Sequence, residues 1–378
     1  MIQVTQVIVV SMRRLVRLKI ETYEEEEAHA RASDLAWVQQ DGMALGQLAE
    51  DMRGDRDIVT AAILQNAAAL QFAAEELRGD PEIVMTAVKK DWMAAFKFAA
   101  QELKGNRAIV MAAVQKNCMA LEHVLQEMKG DRDIVMAAVR ENGRALEHAS
   151  QEMQGDREIV IAAVKPHGGP WGRTNGAKGG PLRWASKELR GDRGVVMEAL
   201  RDEWSALRWA SEEMRGDRAI VLYAIKIKCA ALQYATQEMK ADRDIVMAAI
   251  KKSGTALVYA SQEMQRDRNI VLKAVKGNLP LYAVVDDLRG DRGIVMAAVL
   301  VSWKALEFAS YEMKRDRGIV MAAVNHNWQA LEFASYEMKR DRGIVMAAVQ
   351  KNGNALEFAA YELQMDRSIG MLAARHMP

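Results

Sequence analysis

An all-α solenoid is the fold class that this sequence predicts, and three observations predict it. A unit of about 25 residues recurs thirteen times, each unit carries two apolar patterns at helical spacing, and Gly or Asn punctuates the unit between and after them. Such a unit holds too few apolar residues to fold alone, so units must stack and bury one another's faces.

The stretch QEMKGDRDIVMAAV, Gln126 to Val139, shows the logic of one unit. Aligned on its Asp131, the units open at Asp55, Asp80, Asn106, Asp131, Asp156, Asp192, Asp217, Asp242, Asp267, Asp291, Asp316, Asp341 and Asp366. The spacing is 25 residues apart from one 26, one 24 and one 36. Asp131 reads as a helix N-cap, and Gly130 before it suits a left-handed end to the preceding helix. Ile134, Val135, Ala138 and Val139 then lie on one helical face. Asn142-Gly143 ends that helix, and Ala145, Leu146, Ala149 and Met153 define a second. The prediction is about twelve helix-turn-helix repeats from Asp55 to Met365. Helices of roughly ten residues are marginal alone in water, so neighbours must supply their stability.

Residues 1–30 form an N-terminal non-repeat segment whose β-branched run suits a strand or an irregular cap, and 31–54 are a partial repeat. The tandem array at 55–365 carries a Gly/Pro-rich insertion at 165–181, and 366–378 are a terminal half repeat. The insertion contains GRTNGAKG, which fails as a phosphate loop because Lys178 does not directly follow the glycine and no Ser or Thr comes next. The final half repeat bears Ile369, Met371, Leu372 and Ala373 with no second helix to cover them, an arrangement open to end-to-end self-association.

Units such as DRDIVMAAVRENGRALEHASQEMQG, Asp131 to Gly155, resemble the tandem repeat called domain of unknown function 4116. The resemblance runs from about 55 to 365 and rests on a D-R-x-I-V-x-x-A-V, then A-L-x-x-A-S-x-E-[LM] pattern. It implies a repeat architecture and no catalytic role. Pro81 in place of the Arg and Asn106 in place of the Asp depart from the pattern.

Several chemistries are excluded or disfavoured. Lys plus Arg total 52 against 51 Asp plus Glu, a net charge of +1, which gives no bulk attraction for nucleic acid or an anionic membrane. No run of about 18 apolar residues spans a membrane. Val7 to Val10 precede Arg13, Arg14, Arg17 and Lys19, the reverse of a secretory signal, and Cys118 and Cys229 stand four repeats apart as free thiols. A cytoplasmic location follows as the expectation, with the nucleus also open. The acidic cluster at each turn recurs too often for an active site, and its third position drifts through Asp57, Ala108, Gly194, Asn269 and Gly318, which a metal loop would not allow. His123 and His148 occupy one column but separate layers, too far apart to share a metal. The expectation is no catalytic residue, no metal and no cofactor.

Two features invite a partner. The Glu five residues before each Arg, as in Glu127 with Arg132 and Glu152 with Arg157, would oppose the helix dipole at the end of a second helix, so an ion pair across the turn or between layers is expected. In the last third, ALEFASYEMKRDRGIVMAAV occurs unchanged at Ala305 to Val324 and Ala330 to Val349. A continuous second helix would set Lys304, Glu307, Tyr311 and Lys314 on one face, extended by Tyr336 and Tyr361, with Trp303 and Trp328 at its turn end. With Lys314, Arg315, Lys339 and Arg340 beside them, Trp303, Tyr311, Trp328, Tyr336 and Tyr361 are candidate contacts for an acidic peptide. The function expected is a non-catalytic scaffold for protein-protein interaction. The alternatives are a repeat reader of single-stranded RNA and an accessory array of a larger multidomain protein.

Overall fold

The computed structural model describes residues 17, 19, 25–165 and 180–377. The N-terminal β-branched run and the glycine-rich insert, including its phosphate-loop-like stretch, lie outside the described residues. The chain divides into two compact units, Met1–Leu189 and Arg190–Pro378. Each is an all-α stack of repeats, and the chain is a helical-repeat solenoid.

Each layer opens with an α-helix, such as Arg132–Glu141 or Arg317–His326, whose N-cap carboxylate or amide accepts backbone N–H bonds. Asp131 accepts from Asp133 and Ile134 at 3.0 Å each, and Asn106 accepts from Ala108 and Ile109 at 3.1 and 3.3 Å. The helix ends at an extended residue, Asn142 with φ −153° and ψ 116°, whose side chain caps the next element. That next element is where the structure departs from the expected second helix. Gly143–His148 is a 3-10 segment, Ala149 and Ser150 are extended, and a separate four-residue helix follows at Gln151–Gln154. The layer is therefore three helical pieces rather than a hairpin of two. A 3-10 piece advances about 2 Å per residue and tolerates only short runs, which explains the break after six residues.

The break changes two further expectations. Glu152 lies in the first turn of the short helix, not in the last turn of a long one, so the dipole favours it and no compensating partner is needed. Glu127 and Glu152 are exposed; Arg132 pairs with Asp156 and Glu158 of the next layer, and the equivalent Glu337 and Glu362 pair between layers with Arg315 and Arg340. Gly130 and Gly155 have φ of −98° and −96°, so the turn before each Asp is right-handed. Ala241, Arg266 and Arg340 therefore occupy the equivalent position in other layers without strain.

The arginine reaches the next layer instead. In the first unit Arg31 bonds Asp55 at 2.6 Å and Arg107 bonds Asp131 at 2.8 Å, with Arg56–Asp80 and Arg132–Asp156 between and after them. In the second unit the same rung joins Arg193–Asp217, Arg218–Asp242, Arg243–Asp267, Arg268–Asp291, Arg292–Asp316, Arg317–Asp341 and Arg342–Asp366. Where the third residue of the layer is acidic, as in Asp57, Glu82, Asp133, Glu158 and Asp244, the guanidinium takes that carboxylate too. Pro81 stands in register where an arginine would reach residue 106, and residue 106 is the one neutral cap, Asn106. A helix over 25–40 precedes the first Asp and supplies Arg31, so the ladder begins before the first full repeat.

A backbone bond repeats beside the ladder. Within the first unit the N–H of Ser150 donates to Lys129 O at 2.9 Å, and within the second that of Ser335 donates to Lys314 O at 3.0 Å. Ala74, Ala100 and Leu125 make the same bond, so it needs no particular side chain. The core runs inside these bonds. Ile134, Val135, Ala138, Val139, Ala145 and Leu146 are fully buried, and the matching six positions are buried in layer after layer. In the terminal helix Arg367–Arg375, Ile369 and Ala373 are buried while Met371 is exposed.

Guanidinium bonds, first among several causes, hold Asp55, Asp80, Asp267, Asp291 and Asp316 below the usual carboxylate range. A carboxylate so lowered contributes stability that is complete above its unfolded pKa and is lost as pH falls through its folded one. Acid titration followed by circular dichroism should show stability falling below about pH 4, where an unfolded Asp protonates. Asp267→Ala removes both cap bonds, at 2.8 and 2.9 Å, and should cost about 0.5–2 kcal/mol in urea denaturation. Asp267→Asn keeps the cap as Asn106 does and should cost less.

Candidate interaction surface

The short helix of each layer places the tyrosines. In the layer Arg317–Lys339 the 3-10 segment Trp328–Phe333 ends, Ala334 and Ser335 run extended, and Ser335 Oγ accepts the Met338 N–H at 3.4 Å. Tyr336 is then the first helical residue and points to solvent. Tyr311, Tyr336 and Tyr361 are 60, 59 and 69% exposed, well beyond what packing requires of a phenol. Arg315 and Arg340, four residues after Tyr311 and Tyr336, lay their guanidinium carbons 5.5 and 5.7 Å from the ring centroids. The i, i+4 spacing on one helical turn brings each pair together.

These pairs join from layer to layer. Arg315 Nε lies 3.5 Å from Glu337, and Tyr311 Oη donates to the same carboxylate at 3.4 Å. Arg340 repeats the reach to Glu362 at 3.6 Å. The backbone amide of Glu337, then the Ser335 hydroxyl and Arg315, hold that carboxyl below its ordinary range. The result is a solvent-facing row in which Tyr311, Tyr336 and Tyr361 recur one per layer with ordered cations between them.

The predicted tryptophans belong to another part of the layer. Trp303 and Trp328 are half-buried and stack on Phe333 and Phe358 of the next layer, at 6.1 and 6.0 Å with planes 25° and 27° apart. Trp204 stacks on Tyr234 in the same way at 5.9 Å. The tryptophan that opens one 3-10 segment and the ring that closes the next, thirty residues apart in the sequence, therefore mesh into one inter-layer stack. Lys304 and Glu307 lie on the 3-10 segment with Trp303, whereas Tyr311 and Lys314 lie on the short helix after the break, so the expected single face of a continuous helix is divided.

One column escaped the sequence reading. Two residues before each Asp stands Arg, Lys or Gln, as in Arg53, Lys129, Gln154, Arg289 and Gln364. Arg289 donates to the carbonyls of Tyr282 and Val284 at 2.8 Å, and Gln364 donates to those of Glu357 and Ala359 at 3.0 and 2.9 Å. Gln154 and Gln265 make equivalent bonds. These long donors satisfy carbonyls left open where the 3-10 segment breaks. Burial lowers the pKa of Lys240 and Lys339 in this column. The signal was available as a position that is always a long donor.

The His123 ring packs on Trp92 at 5.8 Å, and His148 lies 3.9 Å from Glu122. Cys118 and Cys229 are free, and burial pushes the Cys118 thiol up. Among the described residues no group of three or more His, Cys, Asp or Glu is placed to hold a metal ion, and no helix is long and apolar enough to cross a membrane.

Fold and surface together define a tandem helical-repeat protein. The model of the family described as Domain of unknown function (DUF4116) matches residues 35–78, 80–129, 131–168, 217–265, 242–287, 267–314, 316–364 and 341–375, and the chain belongs to that family. Most of these matches span about two layers. No curated protein and no solved structure matches the chain.

The two aromatic sets should separate on mutation. Trp328→Ala removes an inter-layer stack and should cost about 1–3 kcal/mol in urea denaturation. Tyr336→Ala, on the exposed row, should change stability by no more than about 0.5 kcal/mol.

Proposed function

We propose that the chain is a non-catalytic helical-repeat scaffold for protein-protein interaction, and that the row Tyr311, Tyr336 and Tyr361 is a face that meets an acidic peptide. The observation that carries this reading is the exposure of three phenols in register, with Arg315 and Arg340 held against two of them. Tyr and Arg are the residues that most often dominate binding energy, and here they are ordered before a partner arrives, which lowers the entropy cost of binding. Repetition of one surface in successive layers suits an extended segment. Trp303 and Trp328 act in this reading by fixing the spacing of the layers.

The reading assigns no catalytic residue and no cofactor. The balanced charge, 52 cations against 51 anions, favours a peptide over a phosphate backbone, which needs an excess of Lys and Arg along its track.

Replacing Tyr311, Tyr336 and Tyr361 together with Ser tests it. Helical circular dichroism should be unchanged, and proteins captured by the wild type from native lysate should be lost. Capture that persists in the triple variant would move the interaction to another face, and capture abolished by RNase would favour the RNA reading.

A further inference from the structure

In three layers of the second unit a tryptophan at the start of a 3-10 segment lies flat on the aromatic ring thirty positions later: Trp204 with Tyr234, Trp303 with Phe333 and Trp328 with Phe358. Cys229, Gly254 and Gly353 stand at that position in other layers, and the layer opened by Asp267 is shortened around it. Its first helix, Arg268–Lys276, has nine residues in place of ten, and its 3-10 segment is cut to Leu281–Ala283. Between them Asn278 takes φ 72°, the one positive φ at a non-glycine residue among those described. Counting thirty back from Phe308 arrives at Asn278, so no indole reaches that ring.

Tyr282 meets Phe308 edge-on at 5.5 Å and leaves the flat approach open. A pocket of about 280 Å³ forms there, walled by Leu279, Pro280, Leu281, Val301, Ala305 and Phe308. Ser302 and Lys304 supply its polar edge. The Lys304 ammonium sits 5.6 Å over the Trp303 ring, and no carboxylate pairs with it among the described residues. Tyr282 and Val301 are 59 and 42% exposed at the mouth, so the apolar surface continues outward beyond the space of one ring.

We propose that this pocket takes an aromatic side chain from an acidic segment of a partner polypeptide. The ring occupies the place that Trp204, Trp303 and Trp328 fill in their own layers, stacked on Phe308, and a neighbouring carboxylate of the segment pairs with Lys304. Apolar walls with one free cation at the edge match a side chain of that kind, and an aromatic anchor in a pocket beside a charge is how a few residues carry most of a peptide's affinity. The proposal rests on the interaction reading for the class of partner, but uses a different layer from the tyrosine row.

The probe is a fluorescein-labelled peptide with one Trp flanked by Asp and Glu, read by fluorescence anisotropy against the full chain. Two control peptides replace the Trp by Ala, or the acids by their amides. Wild type should bind the acidic Trp peptide saturably, and the Ala control about tenfold more weakly or worse. Val301→Glu should weaken the acidic and the amide peptide alike, by about tenfold. Lys304→Glu should weaken the acidic peptide about tenfold and leave the amide peptide unchanged. Both positions lie at the mouth, and circular dichroism checks the fold; Tyr282→Ser serves as a second mouth variant if Val301→Glu unfolds. Equal binding of the Ala control, affinity unaltered by the mouth variants, or no binding by wild type would overturn the proposal. The tyrosine triple variant retains the pocket. Lysate capture lost in that variant while the peptide fails on wild type would sink the pocket alone.

Discussion

Most layers hang on one carboxylate used twice. One oxygen of the Asp closes the N-terminus of its own helix, and the other accepts the guanidinium of the layer before it, as Asp267 does from Ile270 and Arg243. The cap fixes where the helix starts, and the rung fixes how far the next start is displaced from the last. With both set, the same six apolar positions arrive at the same depth in layer after layer, and an interior mostly of Ile, Val, Ala and Leu packs between them. The rung is partly exposed, so its contribution is one of register rather than of strength.

The layer at Pro81 shows that the two uses are separable. Proline suits the first position of a helix because it has no N–H to satisfy, but it cannot reach a carboxylate. Residue 106, which would have received the arginine, keeps its cap through an amide and drops its charge. The same layer spaces its Asp and Asn 26 residues apart and builds Trp92–Phe98 as an α-helix where others use a 3-10 segment. The core positions Ile83, Val84, Ala87 and Val88 remain buried nonetheless, so hydrophobic stacking carries a layer across a missing rung.

Much of this was legible in the sequence because period and capping leave local marks. Asp before Arg and then, one residue on, Ile-Val is a helix start wherever it occurs, and nine of them at the period of the repeat leave no doubt about stacking. The break at Ala149-Ser150 was hidden because Leu146, Ala149 and Met153 keep helical spacing straight through it. Its mark was Ser150 itself, a capping residue repeated as Ser186, Ser211, Thr236, Ser261, Ser310 and Ser335. The partner of each arginine was hidden for a different reason: a contact made at the period of the repeat always offers a local acid and a distant one together. Only Pro81 with Asn106, changed as a pair, distinguished them. A continuous helix would set Tyr311, Tyr336 and Tyr361 on one face with Trp303 and Trp328 at its turn end; the break leaves the tyrosines exposed and the tryptophans stacked between layers. The pocket beside Phe308 could not be seen without knowing that Trp303 and Trp328 reach thirty residues forward.

The most direct measurement of the central claim restores the missing rung. Pro81→Arg, Asn106→Asp and the pair form a double-mutant cycle in urea denaturation. If the Asp-Arg bond couples adjacent layers, the pair should be more stable than the sum of the two single changes by about 0.2–1 kcal/mol, shrinking in high salt. Strict additivity of the two changes would contradict the account, leaving the ladder as a by-product of repetition.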